Sequence, residues 1–219
     1  MDQFKGASLD CLRSTRPVFR GLDFDLPAGG ALVLTGPNGS GKSSLLRLMA
    51  GLLPPAGGTL SWNGEPVAED PDAHRARLAY LGHLDAVKPA LTAAENLAFW
   101  AQLEGADPAT AVGPALDALA IGHLADLPAR FLSAGQKRRL NLARLGLGKA
   151  VLWLLDEPAT ALDVETISRL RDLIHRHRDG GGMVAVSTHS DLELKDAVNL
   201  DLGQYTVSAA RAAAEETAA

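Results

Sequence analysis

Gly36-Pro37-Asn38-Gly39-Ser40-Gly41-Lys42-Ser43 is the stretch that decides how the chain is read, because it meets the pattern G-x-x-x-x-G-K-[S/T] at every specified position. It follows the apolar run Ala31-Leu32-Val33-Leu34-Thr35. It precedes Ser44-Leu45-Leu46-Arg47-Leu48-Met49-Ala50, which is helical in period and has Gly51 as its stop. A phosphate-binding loop between a strand and a helix is therefore expected. Gly39 and Gly41 let the backbone curl so that its N–H groups converge on an anion, and the helix start adds its positive dipole end. Lys42 can then reach the β- and γ-phosphates, and the Ser43 hydroxyl can ligate Mg2+. Gly36, Pro37, Asn38, Gly39, Ser40, Gly41, Lys42, Ser43 and Ser44 are the expected nucleotide-binding residues. Without the flanking strand and helix, the same letters would describe only a Gly-rich turn with an exposed lysine.

A chain of 219 residues with 47% hydrophobic content can bury a large core, so a single domain spanning 1–219 is expected. The net charge of -5 gives no electrostatic footprint for nucleic acid. Cys11 is the only cysteine, which excludes an intrachain disulfide and a cysteine metal cluster and suits a reducing compartment. No apolar run approaches the roughly 20 residues needed to cross a bilayer, and Met1-Asp2-Gln3-Phe4-Lys5 lacks the regions of a signal peptide. The chain is expected to stay in the cytosol.

Residues 3–13 and 17–25 read as strands, and Leu22-Asp23-Phe24-Asp25-Leu26 alternates as a half-buried antiparallel sheet requires. Thr59-Leu60-Ser61-Trp62 ends in the hairpin signal Asn63-Gly64, and Leu78-Ala79-Tyr80-Leu81-Gly82 is a further strand leading to His83. From about 85 to 147 the pattern is mainly helical, with Thr92 and Glu95 forming a capping box, which suggests an inserted helical subdomain. The continuous apolar runs 150–155 and 183–187 read as strands covered on both faces, as in a parallel sheet. Between them, residues 164–178 read as a helix stopped by Gly180-Gly181-Gly182. The fold class is α/β: a P-loop core with a mainly parallel sheet, an N-terminal antiparallel β subdomain and the helical insertion. Nucleotide would sit at the carboxyl edge of the sheet. The Ala-rich tail, about 208–219, reads as a weak helix or a frayed end.

Two further segments carry chemistry. Leu155-Asp156-Glu157-Pro158 closes a buried strand with two carboxylates. There Asp156 would hold Mg2+ and Glu157 would polarise the water that attacks the γ-phosphate. Leu132-Ser133-Ala134-Gly135-Gln136 opens a helix whose N–H groups and Ser133 hydroxyl form a second seat for an anion.

Together these segments resemble the nucleotide-binding subunits of ATP-binding-cassette (ABC) transporters, and the resemblance runs from about Phe4 to Val207. It implies an Mg-dependent ATPase in which Ser133, Gly135 and Gln136 of one copy complete the ATP site of another, closed head to tail. It also implies that His189 contacts the γ-phosphate, that Asp163 links the two sites, and that the partners are integral-membrane subunits rather than nucleic acid. His83 stands where most of the family carries a glutamine that senses Mg2+ and the membrane partner. For the adenine, which the family stacks on an aromatic ring, Arg13 or Phe19 are the candidates here. The segments Tyr80 to Lys88 and Leu91 to Leu97 are similar to the ATP-binding subunits of bacterial cytochrome c maturation systems. That likeness implies haem export or haem-complex handling at the cytoplasmic face of the inner membrane, with a docking patch around Val87, Phe99 and Trp100. An exporter subunit for another substrate, or a soluble cassette protein, are the alternatives.

Overall fold

The computed structural model describes residues 1–189 and 191–206, so the expectation for the tail from Ser208 lies outside the described residues. The chain opens with β1 (Gln3–Arg13) and β2 (Arg16–Pro27), then β3 (Ala31–Thr35), α1 (Lys42–Met49), β4 (Gly57–Trp62) and β5 (Glu65–Pro66). It continues with α2 (Pro71–Ala76), β6 (Leu78–Leu81), α3 (Ala93–Leu103), α4 (Pro108–Ala118) and α5 (Ala134–Ala143). It closes with β7 (Leu152–Asp156), α6 (Val164–Asp179), β8 (Met183–Ser187) and β9 (Val198–Asp201).

These strands form two sheets. One is antiparallel in the order β2-β1-β4-β5, and the other runs β6-β7-β8-β3-β9 with every neighbouring pair parallel. In β2 the Leu22 to Leu26 alternation is real: Leu22, Phe24 and Leu26 are buried while Asp23 and Asp25 are exposed. Every residue of β7 and β8 is buried, because apolar layers cover both faces of the parallel sheet. Trp153, Leu155, Val184 and Val186 face one layer, with α3, α5 and α6. Leu152, Leu154, Met183 and Ala185 face the other, with α1 and the antiparallel sheet.

The loops after β3, β6, β7 and β8 all leave the same edge of the sheet, because their strands are parallel. Each expected phosphate, metal or proton-handling residue lies at or just past one of those strand ends, save those of the α5 turn and Arg13. β9 is an edge strand that the sequence pattern does not signal. The helical stretch resolves into three α-helices with short 3-10 turns beside them, and Thr92 and Glu95 make the expected capping box at the start of α3.

Candidate functional site

Between β3 and α1 the loop takes positive φ at Gly36 (122°), Gly39 (84°) and Gly41 (107°). Gly41 has no room for a side chain: a β-carbon there would stand 2.7 Å from Val18 Cγ1 and 2.9 Å from Phe19 Cδ1. The loop is therefore pressed against β2, and α1 begins with no side-chain cap, which leaves its leading N–H groups open to an anion. Ser40 Oγ is buried without a hydrogen-bond partner. Lys42 Nζ folds back over the loop, donating to the carbonyls of Gly36 at 2.8 Å and Pro37 at 3.4 Å.

The end of β7 brings the carboxylates to the same place. Asp156 is 2% exposed, and its Oδ1 accepts from Ser43 Oγ at 3.0 Å and from Ser187 Oγ at 2.7 Å. Glu157 adopts φ 50°, a left-handed conformation unusual outside glycine, and its N–H donates to Ser187 O at 3.0 Å. Glu157 Oε1 lies 3.4 Å from His189 Nε2. A cleft of about 480 Å³ gathers Lys42, Ser43, Glu157 and His189, and Arg13 and Val18 form part of its wall. Of the two residues considered for the base, Phe19 is removed: it is fully buried beneath Gly41 and cannot present a ring to the cleft.

The α5 turn builds a second cleft, about 500 Å³, lined by Ser133, Gly135, Gln136 and Asp163. Ser133 and Gln136 form a capping box: Gln136 N donates to Ser133 Oγ at 3.2 Å, and Ser133 N donates to Gln136 Oε1 at 2.8 Å. Ser133 Oγ is thus an acceptor within its own helix, while its proton stays free for another acceptor. Asp163 caps α6 through Thr166 N at 2.8 Å and pairs with Arg139. Bonds from the Thr166 hydroxyl and N–H hold its carboxyl below the usual carboxylate range, and Arg139 adds to this. The two clefts share no lining residue. His83 is exposed on the loop after β6 and lines neither.

Sequence reasoning missed Ser187, which bonds both Asp156 and the Glu157 backbone. The structure shows why: the register pairs Asp156 with Ser187 at the ends of adjacent strands, a neighbourhood that local sequence pattern does not reveal. Thr160 in the first cleft and His123 beside the second carried no telling pattern either.

Comparison with known proteins agrees with this geometry. Residues 19–160 match the family model of the ABC transporter. The chain is 57% identical over 210 residues to the "Cytochrome c biogenesis ATP-binding export protein CcmA" of Paramagnetospirillum magneticum, covering 94% of this chain and 96% of the relative. It is 58% identical to the protein of the same description from Rhodospirillum rubrum, covering 96% and 90%. Among solved structures, a putative ABC transporter ATP-binding protein from Pyrococcus furiosus superposes with a TM-score of 0.83 at 24% identity, covering 94% of this chain and all of that one. With a phosphate loop, a carboxylate pair and an α5 turn in one α/β frame, and with these matches, the chain belongs to the ABC transporter family.

Proposed function

We propose that this chain is the Mg-dependent ATPase subunit of an export system in cytochrome c biogenesis, handling haem or a haem-bearing complex. It would work as two copies closed head to tail beneath integral-membrane subunits, at the cytoplasmic face of the bacterial inner membrane. The names of the relatives support the pathway, and no helix among the described residues is long and apolar enough to cross a membrane. The observation that carries the ATPase reading is that Lys42, Ser43, Glu157 and His189 line one cleft, with Asp156 bonded to Ser43 and Glu157 beside His189.

The residues fit a triphosphate and a hard divalent cation. The uncapped start of α1 and the orphaned Ser40 hydroxyl offer donors to phosphate oxygens. Ser43 Oγ and Asp156 Oδ1, 3.0 Å apart, would hold Mg2+, which supplies charge neutralisation on the phosphates. Lys42 exchanges its two loop carbonyls for phosphate oxygens. Glu157 orients the attacking water and accepts its proton, while His189, beside that carboxylate, donates to the γ-phosphate. Arg13, on the cleft wall with Val18, lies flat against the base. Ser133, Gly135 and Gln136 close on the phosphates held by the other copy, and Asp163 spans the two sites. His83 acts on the loop that meets the membrane subunit, a loop that also carries Leu84, 84% exposed, and Lys88, whose Nζ sits 3.4 Å over the Phe99 ring.

The test is complementation. A strain lacking its own subunit of this kind should regain covalently haem-loaded cytochromes c when supplied with this chain and its membrane subunits, and the Glu157→Gln chain should not restore them. An active ATPase that leaves cytochrome c assembly defective would refute the pathway assignment.

A further inference from the structure

Arg138 is a buried cation to which the chemistry described so far gives no task. Arg138 lies in α5, two residues beyond Gln136, and is 5% exposed. Its guanidinium donates to five acceptors from two other segments. Nη2 reaches the carbonyls of Glu157 at 2.6 Å and Asp156 at 3.1 Å, and Nε reaches that of Pro158 at 3.4 Å. Nη1 reaches the carbonyl of Gly82 at 3.3 Å and Asp85 Oδ1 at 3.0 Å. Burying a charge this far is costly, and a hydrophobic residue of similar volume commonly serves stability as well. Stability alone therefore does not account for an arginine here.

What the arginine grips is informative. Glu157 holds a left-handed backbone, which non-glycine residues keep only when their surroundings impose it. On one side its N–H is bound by Ser187 O at 3.0 Å and Ser187 Oγ at 3.1 Å. On the other side its carbonyl is bound by Arg138 at 2.6 Å, the shortest of the five contacts. The peptide planes flanking the proposed base are thus clamped from both sides, and the clamp on one side is also bonded to the loop that carries His83. Asp85, the only acidic side chain among the five acceptors, is further bonded by Asn141 Nδ2 at 3.3 Å, which keeps the pair in register along α5.

We infer that Arg138 is a positioning residue for hydrolysis: it fixes the Glu157 backbone and ties it to the 82–85 loop from the helix that presents Ser133. The inference rests on the reading of Glu157 as the base. A planar fork can hold several carbonyls at once, and a lysine ammonium can only point at one or two. Arg138→Lys is therefore the informative variant, since it keeps the charge and loses the geometry.

The experiment measures kcat and KM for MgATP, affinity for a non-hydrolysed ATP analogue, and thermal midpoint in the purified complex with its membrane subunits. The chains compared are the wild type, Arg138→Lys, Asp85→Asn and the double variant. Arg138→Lys should lower kcat by about tenfold or more, with KM and analogue affinity within about twofold of wild type, because misplacing a base costs the transition state and not binding. Asp85→Asn should cost less, and combined with Arg138→Lys it should add little, since both act through one contact. A kcat within about twofold of wild type in Arg138→Lys, or a loss matched by a proportional rise in KM, would overturn the inference. So would full additivity in the double variant. A wild-type complex without ATPase activity would sink the Glu157 reading and this inference together, whereas an active wild type with an indifferent Arg138→Lys sinks this one alone.

Discussion

Glu157 shows how little of a residue's environment its letter discloses. The Asp-Glu-Pro end of a buried strand was legible, but the left-handed backbone and the Ser187 and Arg138 bonds that hold it come from segments far away in sequence. Glu157→Gln preserves shape and removes the proton acceptor, so ATP affinity should stay within about twofold while turnover falls by about a hundredfold. Steady-state hydrolysis beside equilibrium nucleotide binding checks both halves, and near-normal hydrolysis would take Glu157 out of the reaction. Histidines show a second kind of hidden context. His74, 1% exposed, bonds Met49 O through Nε2 at 2.7 Å, and its Nδ1 has no hydrogen-bond partner. Burial, above all, holds its pKa below the ordinary imidazole value, with Arg77 and Arg75 pushing the same way against the Met49 bond. Such a group is neutral in both states above about pH 7.5 and costs nothing there. As pH falls below about 6.5 the unfolded chain takes up a proton that the folded chain refuses, so stability drops by up to about 1.4 kcal/mol per pH unit. Replacing His74 with Phe should flatten the loss between pH 7.5 and 5.5, measured by denaturant midpoints. An unchanged slope would mean that His74 is protonated inside the fold.

At the level of elements, periodicity worked where a segment is long enough and its apolar residues are regularly placed. The runs that became β7 and β8 and the amphipathic α6 were legible from apolar spacing, and the capping box of α3 from two residues. β9 was not, because four residues, with Val198 and Asn199 exposed at its edge position, are too short to show a period. α2 escaped for a related reason: of its six residues only His74 is buried. The start of α5 was read as an anion seat, and it is also a capping box, so Ser133 has two duties that substitution can separate. Ser133→Ala loses the acceptor and should cost about 1 kcal/mol of stability. Ser133→Asp keeps an acceptor for the Gln136 N–H, so stability should stay within about 0.5 kcal/mol, yet it sets a negative charge where a phosphate is proposed to arrive. Hydrolysis should then fall by about tenfold or more in Ser133→Asp despite its intact fold. Wild-type turnover in that variant would confine Ser133 to capping.

On the scale of the molecule, the parallel sheet works as a shelf: strand ends deliver the loops, and apolar layers on both faces keep the shelf rigid. The order of its strands was beyond local pattern, since β3 lies between β8 and β9 although both follow it by well over a hundred residues. That placement also sets the two clefts apart. Lys42, Glu157 and His189 belong to one, Ser133 and Asp163 to the other, with no residue in common. If both are to grip one triphosphate, the second must come from another copy, and ATP becomes part of the interface. The association should then need ATP and should persist only while ATP is intact. Glu157→Gln chain with MgATP is expected to run at twice its monomer mass in light scattering coupled to size exclusion, and to return to monomer mass with MgADP or on adding Ser133→Asp. The wild type, which destroys its own ligand, should show the larger species only briefly. A Glu157→Gln chain that binds MgATP fully and stays a monomer, while the assembled complex still hydrolyses ATP at one site per copy, would mean that each cleft acts without its twin.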